Sequence, residues 1–336
     1  MSPMQPLSRR SLLSAAGAAA LSFGLRPFST FAGFWPPSVG QQESKPTKPI
    51  TPNDEFYVTS YRSPPTIRVG EWALSIGGLV ERPVTLTYAQ LIAQPRVAQI
   101  VTLECVGNTV AGELMSTADW EGISLRSLLQ QAGVGAMAYD VVFRAADGYS
   151  DSIPVDRAMA GDVMIAHTMN GVALPQDHGF PARAIVPGHY GMKSVQWLTE
   201  IEVVAHDYKG YYQQKGWTEE AIVKTMSRID VPGHGATVRG LRQRVEGIAF
   251  AGSRGIRSVD ISTDGGERWT AVRLAAPLSP HAWIAWNYDW TVPAPGLYGL
   301  SVRATDGNGI VQTAIEQDSG SDGASGRHEI TFTVVA

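Results

Sequence analysis

The sequence has a single cysteine, Cys105, among its 336 residues. One cysteine excludes an intrachain disulfide, a four-cysteine zinc or iron–sulfur site and the C-x-x-C-H attachment of a c-type haem. An excess of positive charge is also lacking, because 27 Lys and Arg residues stand against 31 Asp and Glu residues. Without that excess, neither a nucleic acid nor an anionic membrane surface is the expected partner.

Charged residues are scarce, at 17% of the chain, whereas hydrophobic residues make up 44%. This composition excludes an intrinsically disordered chain and supplies enough apolar side chains for sizeable cores. At roughly 150 residues per domain, the length predicts two domains. The sequence contains neither a Walker loop nor a G-x-G-x-x-G motif, so the common phosphate-binding motifs of nucleotide-dependent enzymes are missing.

Two adjacent arginines, Arg9 and Arg10, precede an uncharged run at residues 12–25. This pattern predicts a twin-arginine export signal over residues 1–33 and a periplasmic or secreted protein. The run is shorter than the about 20 apolar residues of a membrane span, so stable membrane insertion is not expected. Because this route exports folded proteins, often with a cofactor already inserted, we also expect a cofactor. An uncleaved anchor and a chance Arg-Arg pair remain as alternatives.

The rest of the chain divides into regions of different character. Residues 34–50 are rich in proline and predict a linker. Residues 51–229 mix strand-like runs, as at 98–103 and 184–186, with a helical stretch at 125–132, which is an α+β pattern. Residues 230–336 carry short alternating strands and a Gly-containing hairpin turn, which predict a β-sandwich.

Cys105 ends an apolar run and precedes a turn that contains Gly107 and Asn108. A lone cysteine is most often a buried small hydrophobic residue, so its position alone assigns it no role. Two functional interpretations stay open, a metal ligand and a nucleophile paired with His178 or His189. The second would also need an orienting acid and an oxyanion hole, which the sequence does not place.

A second segment, residues 177–198, is dense in Gly, Pro, His, Arg and Lys. Cationic side chains between Gly-rich turns offer both charge and approachable backbone N–H groups, which suits an anionic, phosphate-bearing ligand. The alternative is a surface loop whose Arg and Lys side chains contact only water.

Together these segments resemble the sulfite oxidase family of molybdopterin enzymes over nearly the whole chain after the predicted signal. The resemblance is carried by Thr-Pro-Asn-Asp at 51–54, Leu-Glu-Cys-Val-Gly-Asn at 103–108, Ala-Asp-Gly-Tyr at 146–149, Ser-Ile-Pro at 152–154, Met-Asn-Gly at 169–171, the 177–183 run and Ser-Val-Gln-Trp-Leu at 194–198. Ser-Thr-Asp-Gly-Gly at 262–266 and Ala-Thr-Asp-Gly at 304–307 resemble the family's immunoglobulin-like dimerisation domain.

The resemblance implies an α+β protein with two domains and a homodimeric assembly. Residues 51–229 would form a mixed α/β molybdopterin-binding domain, and residues 230–336 an all-β immunoglobulin-like sandwich. The implied activity is that of a molybdopterin-dependent oxidoreductase, with a molybdenum–molybdopterin cofactor.

The resemblance also implies roles for individual residues. Cys105 would provide a thiolate ligand to molybdenum, since a soft ligand suits that metal. Trp217 stands where the family has a tyrosine that faces the metal, so it is expected at the catalytic centre, with the nearby Tyr208, Tyr211 and Tyr212 as alternatives. The residues implied to hold the pterin and its phosphate are Ser60, Tyr61, Asp147, His178, Arg183, Lys193, Ser194 and Val195.

Other positions depart from the sulfite-oxidising members of that family, which surround the metal with arginines. Residues 59–61 read Thr-Ser-Tyr where that pattern has Arg-Asn-His, and Thr109 and Val110 stand where it has two arginines. We therefore expect a substrate pocket poorer in positive charge, with Arg62 as the nearest replacement. Sulfite remains possible, but a sulfoxide or another less charged oxo compound is favoured.

Oxo transfer moves two electrons, and the sequence contains no motif for a second redox centre. A separate electron carrier, such as a cytochrome, is therefore expected to dock transiently. A function of another class also stays open, a secreted binding protein in which Cys105 is structural and Trp283, Trp286 and Trp290 contact a partner. Tryptophans at alternating strand positions are, however, more often core residues than ligand platforms.

Overall fold

The structure is a computed structural model that describes residues 45–336. The predicted export signal, residues 1–33, and most of the predicted linker, residues 34–50, lie outside the described residues. No helix in the described range is long and apolar enough to cross a membrane.

Strands dominate the regular structure between residues 45 and 336. In chain order they are β1 (Ala73–Gly78), β2 (Val84–Thr87), β3 (Val97–Glu104), β4 (Met115–Ser124), β5 (Asp140–Ala145), β6 (Ser150–Pro154), β7 (Met164–Met169), β8 (Val172–Ala173), β9 (Arg183–Ile185), β10 (Leu198–Val204), β11 (Met226–Val231), β12 (Thr237–Arg239), β13 (Arg242–Phe250), β14 (Ile256–Ser262), β15 (Thr270–Ala271), β16 (Arg273–Leu274), β17 (Ile284–Thr291), β18 (Gly296–Asp306) and β19 (His328–Val335). The α-helices of this range are α1 (Tyr88–Ile92), α2 (Leu125–Ala132) and α3 (Val155–Ala158).

Helix is a smaller component than the mixed α/β description of residues 51–229 predicts, and the described chain is mostly β. α2 forms where the sequence predicts it, and Gly133, in the left-handed region with φ of 73°, ends it. The other two helices are only about one turn long. Pro154 precedes α3 and Pro95 follows α1, and proline limits the length of a helix on either side.

Two five-stranded sheets form the part of the chain that precedes β11. One has the strand order β2-β1-β10-β5-β6, and the other has the order β3-β4-β7-β8 with β9 paired to β7. α2 buries Leu125, Leu128, Leu129 and Ala132, which share one helical face, in the same core as β1 and β5. This core lies behind the segments that carry the candidate site.

Two further sheets share one core in the C-terminal part of the chain. Their strand orders are β11-β13-β17-β16 and β12-β19-β18-β14-β15. Ile330, Phe332 and Val334 alternate along β19 and point into that core, as a half-buried strand requires. The arrangement agrees with the β-sandwich that the alternating pattern predicts. The predicted domain boundary between residues 229 and 230 falls inside β11 and stays a prediction.

Contacts with the C-terminal sheets support the turn that follows β3. The backbone N–H of Thr102 donates to the carbonyl of His281 at 3.0 Å, and the backbone N–H of Trp283 donates to Thr102 Oγ1 at 2.9 Å. Phe250, at the end of β13, packs in one apolar cluster with Val106. The residue after the lone cysteine therefore rests on a strand of the C-terminal sheets.

Residues 318–323, which we call the buttress loop, make a second contact of this kind. The backbone N–H of Thr218 donates to the carbonyl of Ser321 at 3.0 Å. Lys224 Nζ donates to the carbonyl of Gly323 at 2.9 Å and lies 2.9 Å from Asp322 Oδ2. The buttress loop thus holds both ends of the segment 218–224.

A buried ion pair anchors the short turn Gly191–Lys193 to β6. Lys193 Nζ donates to Asp151 Oδ1 at 2.8 Å and to the carbonyl of Ser152 at 3.0 Å. The two side chains are only 5% and 1% exposed. Removing one charge of such a pair leaves the other buried without a counter-charge, which is strongly destabilising.

Replacing Lys193 with methionine should lower the free energy of unfolding by about 3–5 kcal/mol, because Asp151 would remain buried and unpaired. Urea unfolding of the purified protein measures the effect. The double variant Lys193→Met/Asp151→Asn removes the orphaned charge and should recover part of the loss. A single variant as stable as the wild type would contradict the assigned role of the pair.

Candidate active site

A cleft opens beside Cys105 and encloses about 850 Å³ of space, its open mouth included. Eight of the ten residues that the sequence assigns to the site line this cleft: Cys105, Trp217, Ser60, Tyr61, Asp147, Arg183, Ser194 and Val195. The other two, His178 and Lys193, do not line it. Segments far apart in the sequence therefore meet at one place, as the prediction requires.

Cys105 lies in a tight turn directly after β3. The backbone N–H of Asn108 donates to the carbonyl of Cys105 at 2.9 Å. The Asn108 side chain closes the turn from both sides, since its Nδ2 donates to Glu104 Oε1 at 3.0 Å and its Oδ1 accepts from the backbone N–H of Leu114 at 3.0 Å. The thiol is partly exposed and faces the cleft.

Burial dominates the electrostatics of the turn. It raises the pKa of the Cys105 thiol, whereas the backbone N–H of Gly107 and the hydroxyl of Thr59 act in the opposite direction by hydrogen bonding. Burial also raises the pKa of Glu104 to about 7, against the lowering effect of Asn108 and Arg228. Glu104 Oε2 has no hydrogen-bond partner among the described residues.

Arg183, in β9, ties the cationic segment together from inside. Its two terminal nitrogens donate to the carbonyls of His178 and Ser194, each at 3.0 Å, and its guanidinium lies over the ring of Trp120. Arg183 Nε is buried without a partner among residues 45–336. Burial lowers the pKa of Arg183 to about 10, so the side chain stays charged at neutral pH. One donor of a buried cation is therefore free for a ligand.

His178 lies behind the cleft, and its ring is held by Asn53. Its Nε2–H donates to the Asn53 carbonyl at 2.8 Å, so Nδ1 of the neutral ring is an acceptor. That atom is buried and has no partner within the described range. Burial lowers the pKa of His178, which favours the neutral ring.

The structure places Lys193 away from the cleft, in the buried pair with Asp151 described above. All the hydrogen bonds that its side chain makes in the described range go to Asp151 and Ser152. The assignment of Lys193 to the cofactor stays a prediction. The sequence could not anticipate the pair, because the partner lies 42 residues earlier.

One side of the cleft is formed by an aromatic wall, the rings of Tyr61, Tyr212 and Trp217, and Tyr211 packs against two of these rings without lining the cleft itself. Tyr212 stacks on Trp217 with ring centroids 4.3 Å apart, and the Tyr61 and Tyr211 centroids are 4.4 Å apart. Trp217 thus faces the cleft, as the sequence predicts. The wall presents a broad apolar surface to anything bound beside Cys105.

The charged side chains that line the cleft are Asp147 and Arg183. Thr59 lines the cleft, as expected of a residue in the substrate pocket. Thr109 and Val110 do not, and that expectation is wrong. The turn that follows Cys105 directs both residues into a second, smaller cavity with Glu104 and Gln312.

Arg62, the nearest candidate for a replacement cation, is exposed and does not line the cleft. Its guanidinium lies over the ring of Tyr61, 4.9 Å from the centroid, and donates to the Tyr61 hydroxyl at 3.3 Å. Its other terminal nitrogen donates to the carbonyl of Asp147 at 3.5 Å. Arg62 therefore brings no charge into the cleft in this arrangement.

The alternative of a cysteine hydrolase lacks a base in the described part of the chain. No hydrogen bond joins Cys105 to a histidine there, and neither His178 nor His189 lines the cleft. His189 Nδ1–H donates to the carbonyl of Pro187 at 3.1 Å, and burial lowers its pKa to about 4. Nor do any three His, Cys, Asp or Glu side chains in this range form a metal site by themselves.

The donor set fits a cofactor that carries both a metal and anionic groups. Cys105 offers a soft ligand to a metal, and the unpartnered Nε–H of Arg183 offers a charged donor to an anion. Gly191 allows close approach of the backbone, because a Cβ at this position would lie 2.7 Å from the Tyr57 hydroxyl.

Three further tyrosines line the cleft: sequence reasoning assigned no role to Tyr57 and Tyr149, and named Tyr212 only as an alternative to Trp217. Tyr149 lies within the Ala-Asp-Gly-Tyr motif, and Tyr212 lies near Trp217. In both cases, residues nearby in sequence already pointed to the site. Tyr57 follows the Thr-Pro-Asn-Asp motif closely, but no pattern distinguishes a tyrosine in a site from one in a core.

Comparisons with known proteins identify the family of this chain. Residues 61–212 match the family model of the oxidoreductase molybdopterin binding domain. The chain is 32% identical over 311 residues to sulfite oxidase of Gallus gallus, covering 78% of this chain and 68% of that protein. It is 32% identical over 292 residues to mitochondrial sulfite oxidase of Homo sapiens, covering 73% of this chain and 54% of that protein.

A solved structure agrees at the level of the fold. The sulfane dehydrogenase SoxCD from Paracoccus pantotrophus superposes with a TM-score of 0.75 at 24% sequence identity, covering 86% of this chain and 84% of that one. The family model and the chicken and human relatives identify the family as well as the fold. This chain belongs to the sulfite oxidase family of molybdopterin-dependent oxidoreductases, and its cofactor is molybdenum bound to molybdopterin.

Proposed function

We propose that this chain is an exported enzyme that transfers an oxygen atom to or from a small, uncharged sulfur compound and exchanges electrons with a separate carrier. The observation that supports this best is the lining of the cleft. Beside Cys105 it has one acid, Asp147, one cation, Arg183, and an aromatic wall. A neutral sulfoxide suits that lining better than sulfite does.

An anion such as sulfite would gain little in this cleft. Two nitrogens of Arg183 are engaged by backbone carbonyls, and a charged Asp147 would repel an anion. An anion that enters a closed pocket loses hydration, and only cations or strong donors in the pocket offset that loss. A sulfoxide loses less hydration, and its apolar substituents can pack on the aromatic wall.

Sulfur compounds are one of two substrate classes in the relatives' names, and the other is nitrate. The chicken and human relatives are sulfite oxidases, and the structural neighbour is a sulfane dehydrogenase. In the reductive direction, a sulfoxide takes up two electrons and two protons, its S–O bond breaks, and a thioether and water form. The reverse direction takes the oxygen from water and releases two electrons and two protons.

We propose a different role for each of the residues at the cleft. When bound, the cofactor supplies the metal that exchanges the oxygen atom and the two electrons. Cys105 would hold that metal through its thiolate. Arg183 Nε–H would bind an anionic group of the cofactor. His178 Nδ1 would accept a hydrogen bond from a donor group of the cofactor. The aromatic wall would exclude water from the substrate.

The electrons would pass to or from a second protein. The chain has one cysteine and no C-x-x-C-H motif, so we propose a separate carrier such as a cytochrome.

We further propose that the two C-terminal sheets form an immunoglobulin-like domain that mediates homodimer formation. The shared core of those sheets supports a sandwich of this kind.

The alternative of a secreted binding protein has less support. Trp283 is 5% exposed and Trp286 is 1% exposed, so both are core residues. Trp290 packs edge-on against Tyr298 and Phe332, with centroids 5.3 and 6.3 Å apart. None of the three is presented as a platform for a ligand.

Cys105→Ser should reduce turnover below detection and leave the unfolding temperature nearly unchanged, because a hydroxyl cannot replace a soft thiolate at the metal. Steady-state kinetics and thermal unfolding measure the two effects. Because Cys105 is the only cysteine, a thiol reagent should label the cofactor-free protein and spare the loaded one. Normal turnover of the variant would refute the assignment of Cys105 to the metal.

Kinetics with sulfite and with neutral sulfoxides should separate the two substrate classes. A charge-assisted hydrogen bond is worth about 1.5–3 kcal/mol, so the missing cation at Thr59 should weaken sulfite binding by about ten- to a hundredfold. Thr59→Arg, which adds a cation to the cleft, should improve sulfite turnover without improving sulfoxide turnover. Thr109→Arg, outside the cleft, is the matched control. Efficient sulfite turnover by the wild type at a micromolar Michaelis constant would overturn this proposal.

Replacing Arg9-Arg10 with Lys-Lys should stop export and leave folded protein in the cytoplasm, because a receptor reads the arginine pair. Fractionation of the cells, followed by immunoblotting of each compartment, measures the distribution. Unchanged export would instead indicate the general secretory route or an anchor.

A further inference from the structure

Tyr57 is held firmly at the edge of the cleft. Its backbone N–H donates to Ser116 Oγ at 3.2 Å, and its ring stacks on the buried ring of Phe56 with centroids 5.4 Å apart. Phe56 in turn packs edge-on against Trp120 and His178. The position of the phenol is therefore set by packing and by the backbone, and the hydroxyl is free to serve another purpose.

The hydroxyl of Tyr57 makes no hydrogen bond to any described residue, and the half-buried side chain lines the cleft. By contrast, the Tyr149 hydroxyl donates to Asp151 Oδ2 and to the carbonyl of Met192, each at 3.0 Å. A hydroxyl that lines a cleft without a protein partner is available to a ligand or a water. Burial raises the pKa of Tyr57, so the phenol remains a donor at neutral pH.

The neighbours of this hydroxyl place it on the Cys105 side of the cleft. Tyr57, Cys105, Arg183 and Gly191 line the same space. The charges of Cys105 and Arg183 are near enough to influence the phenol. At Gly191, a methyl group would approach the hydroxyl to 2.7 Å, so the missing side chain keeps the space around it open.

We propose that the Tyr57 hydroxyl donates a hydrogen bond to the oxygen atom of the substrate and thereby determines specificity for oxygen-bearing sulfur compounds. The inference rests on the proposed function, because it presumes that the substrate carries such an oxygen. It adds a named donor to a cleft whose other fixed donor, Arg183, is assigned to the cofactor. A thioether, which lacks the oxygen, would gain nothing from Tyr57.

The test compares two ligands of nearly the same shape, dimethyl sulfoxide and dimethyl sulfide, in the loaded wild type and in Tyr57→Phe. The variant removes only the hydroxyl and keeps the ring. With a reduced dye as electron donor, kcat/KM for the sulfoxide should fall about tenfold, which corresponds to about 1.4 kcal/mol. The inhibition constant of the sulfide and the molybdopterin content should not change. Tyr88→Phe is the matched control, since its half-buried phenol also lacks a hydrogen bond within residues 45–336 but does not line the cleft.

Each of the other outcomes would overturn the inference or assign the donor to another residue. Unchanged sulfoxide kinetics in Tyr57→Phe, an equal loss for both ligands, or a loss of molybdopterin would overturn the inference, the last because it would make Tyr57 a cofactor contact. An effect that appears in Tyr212→Phe and not in Tyr57→Phe would assign the donor to the other phenol.

Failure of the proposed function has a separate signature. If the loaded wild type reduces no sulfoxide, the proposed function is wrong, and the two ligands are then titrated directly by the quenching of tryptophan fluorescence. Tighter binding of the sulfoxide that is lost in Tyr57→Phe would still support the donor. Equal binding of the two ligands to wild type and variant would refute it.

Discussion

The geometry of the site depends on one small hydrogen-bonded unit, the Asn108 side chain within the turn after β3. Its amide group joins Glu104 to Leu114, and its backbone N–H closes onto the Cys105 carbonyl. A turn closed in this way has little freedom, so the thiol is presented at a fixed place at the end of a buried strand. A metal held by a single protein ligand needs that precision, because no second side chain corrects an error in position.

A second constraint on the site is how the buried positive charge of Arg183 is stabilised. A buried guanidinium is tolerated when its donors are satisfied, and two backbone carbonyls accept from two of the five N–H donors of Arg183. The cation is thereby immobilised by main chain from two different turns, while its Nε–H has no partner among the described residues. The cleft thus contains a positive charge that is partly committed to structure. Under the proposed function, such a site would bind an anionic cofactor and still attract an anionic substrate poorly.

Much of this site was open to prediction from local patterns, and the misses have a common physical cause. The Leu-Glu-Cys-Val-Gly-Asn stretch indicates a strand followed by a turn, and the structure has both. The course of the chain after that turn depends on packing against the C-terminal sheets, and this is why Thr109 and Val110 were placed in the wrong cavity. The partner of Lys193 is likewise a residue distant in sequence. Prolines next to α1 and α3 limit the length of those two helices.

The buttress loop connects the aromatic wall to a part of the protein that does not line the cleft. Since it holds segment 218–224, which begins next to Trp217, a change in the length or sequence of residues 318–323 would shift one side of the cleft while leaving Cys105 and Arg183 in place. Related proteins with the same metal chemistry would then be free to diverge in substrate preference through a surface loop, where substitutions and insertions are tolerated far better than in a core. The second set of sheets would in that case be a source of evolutionary variation as well as a scaffold.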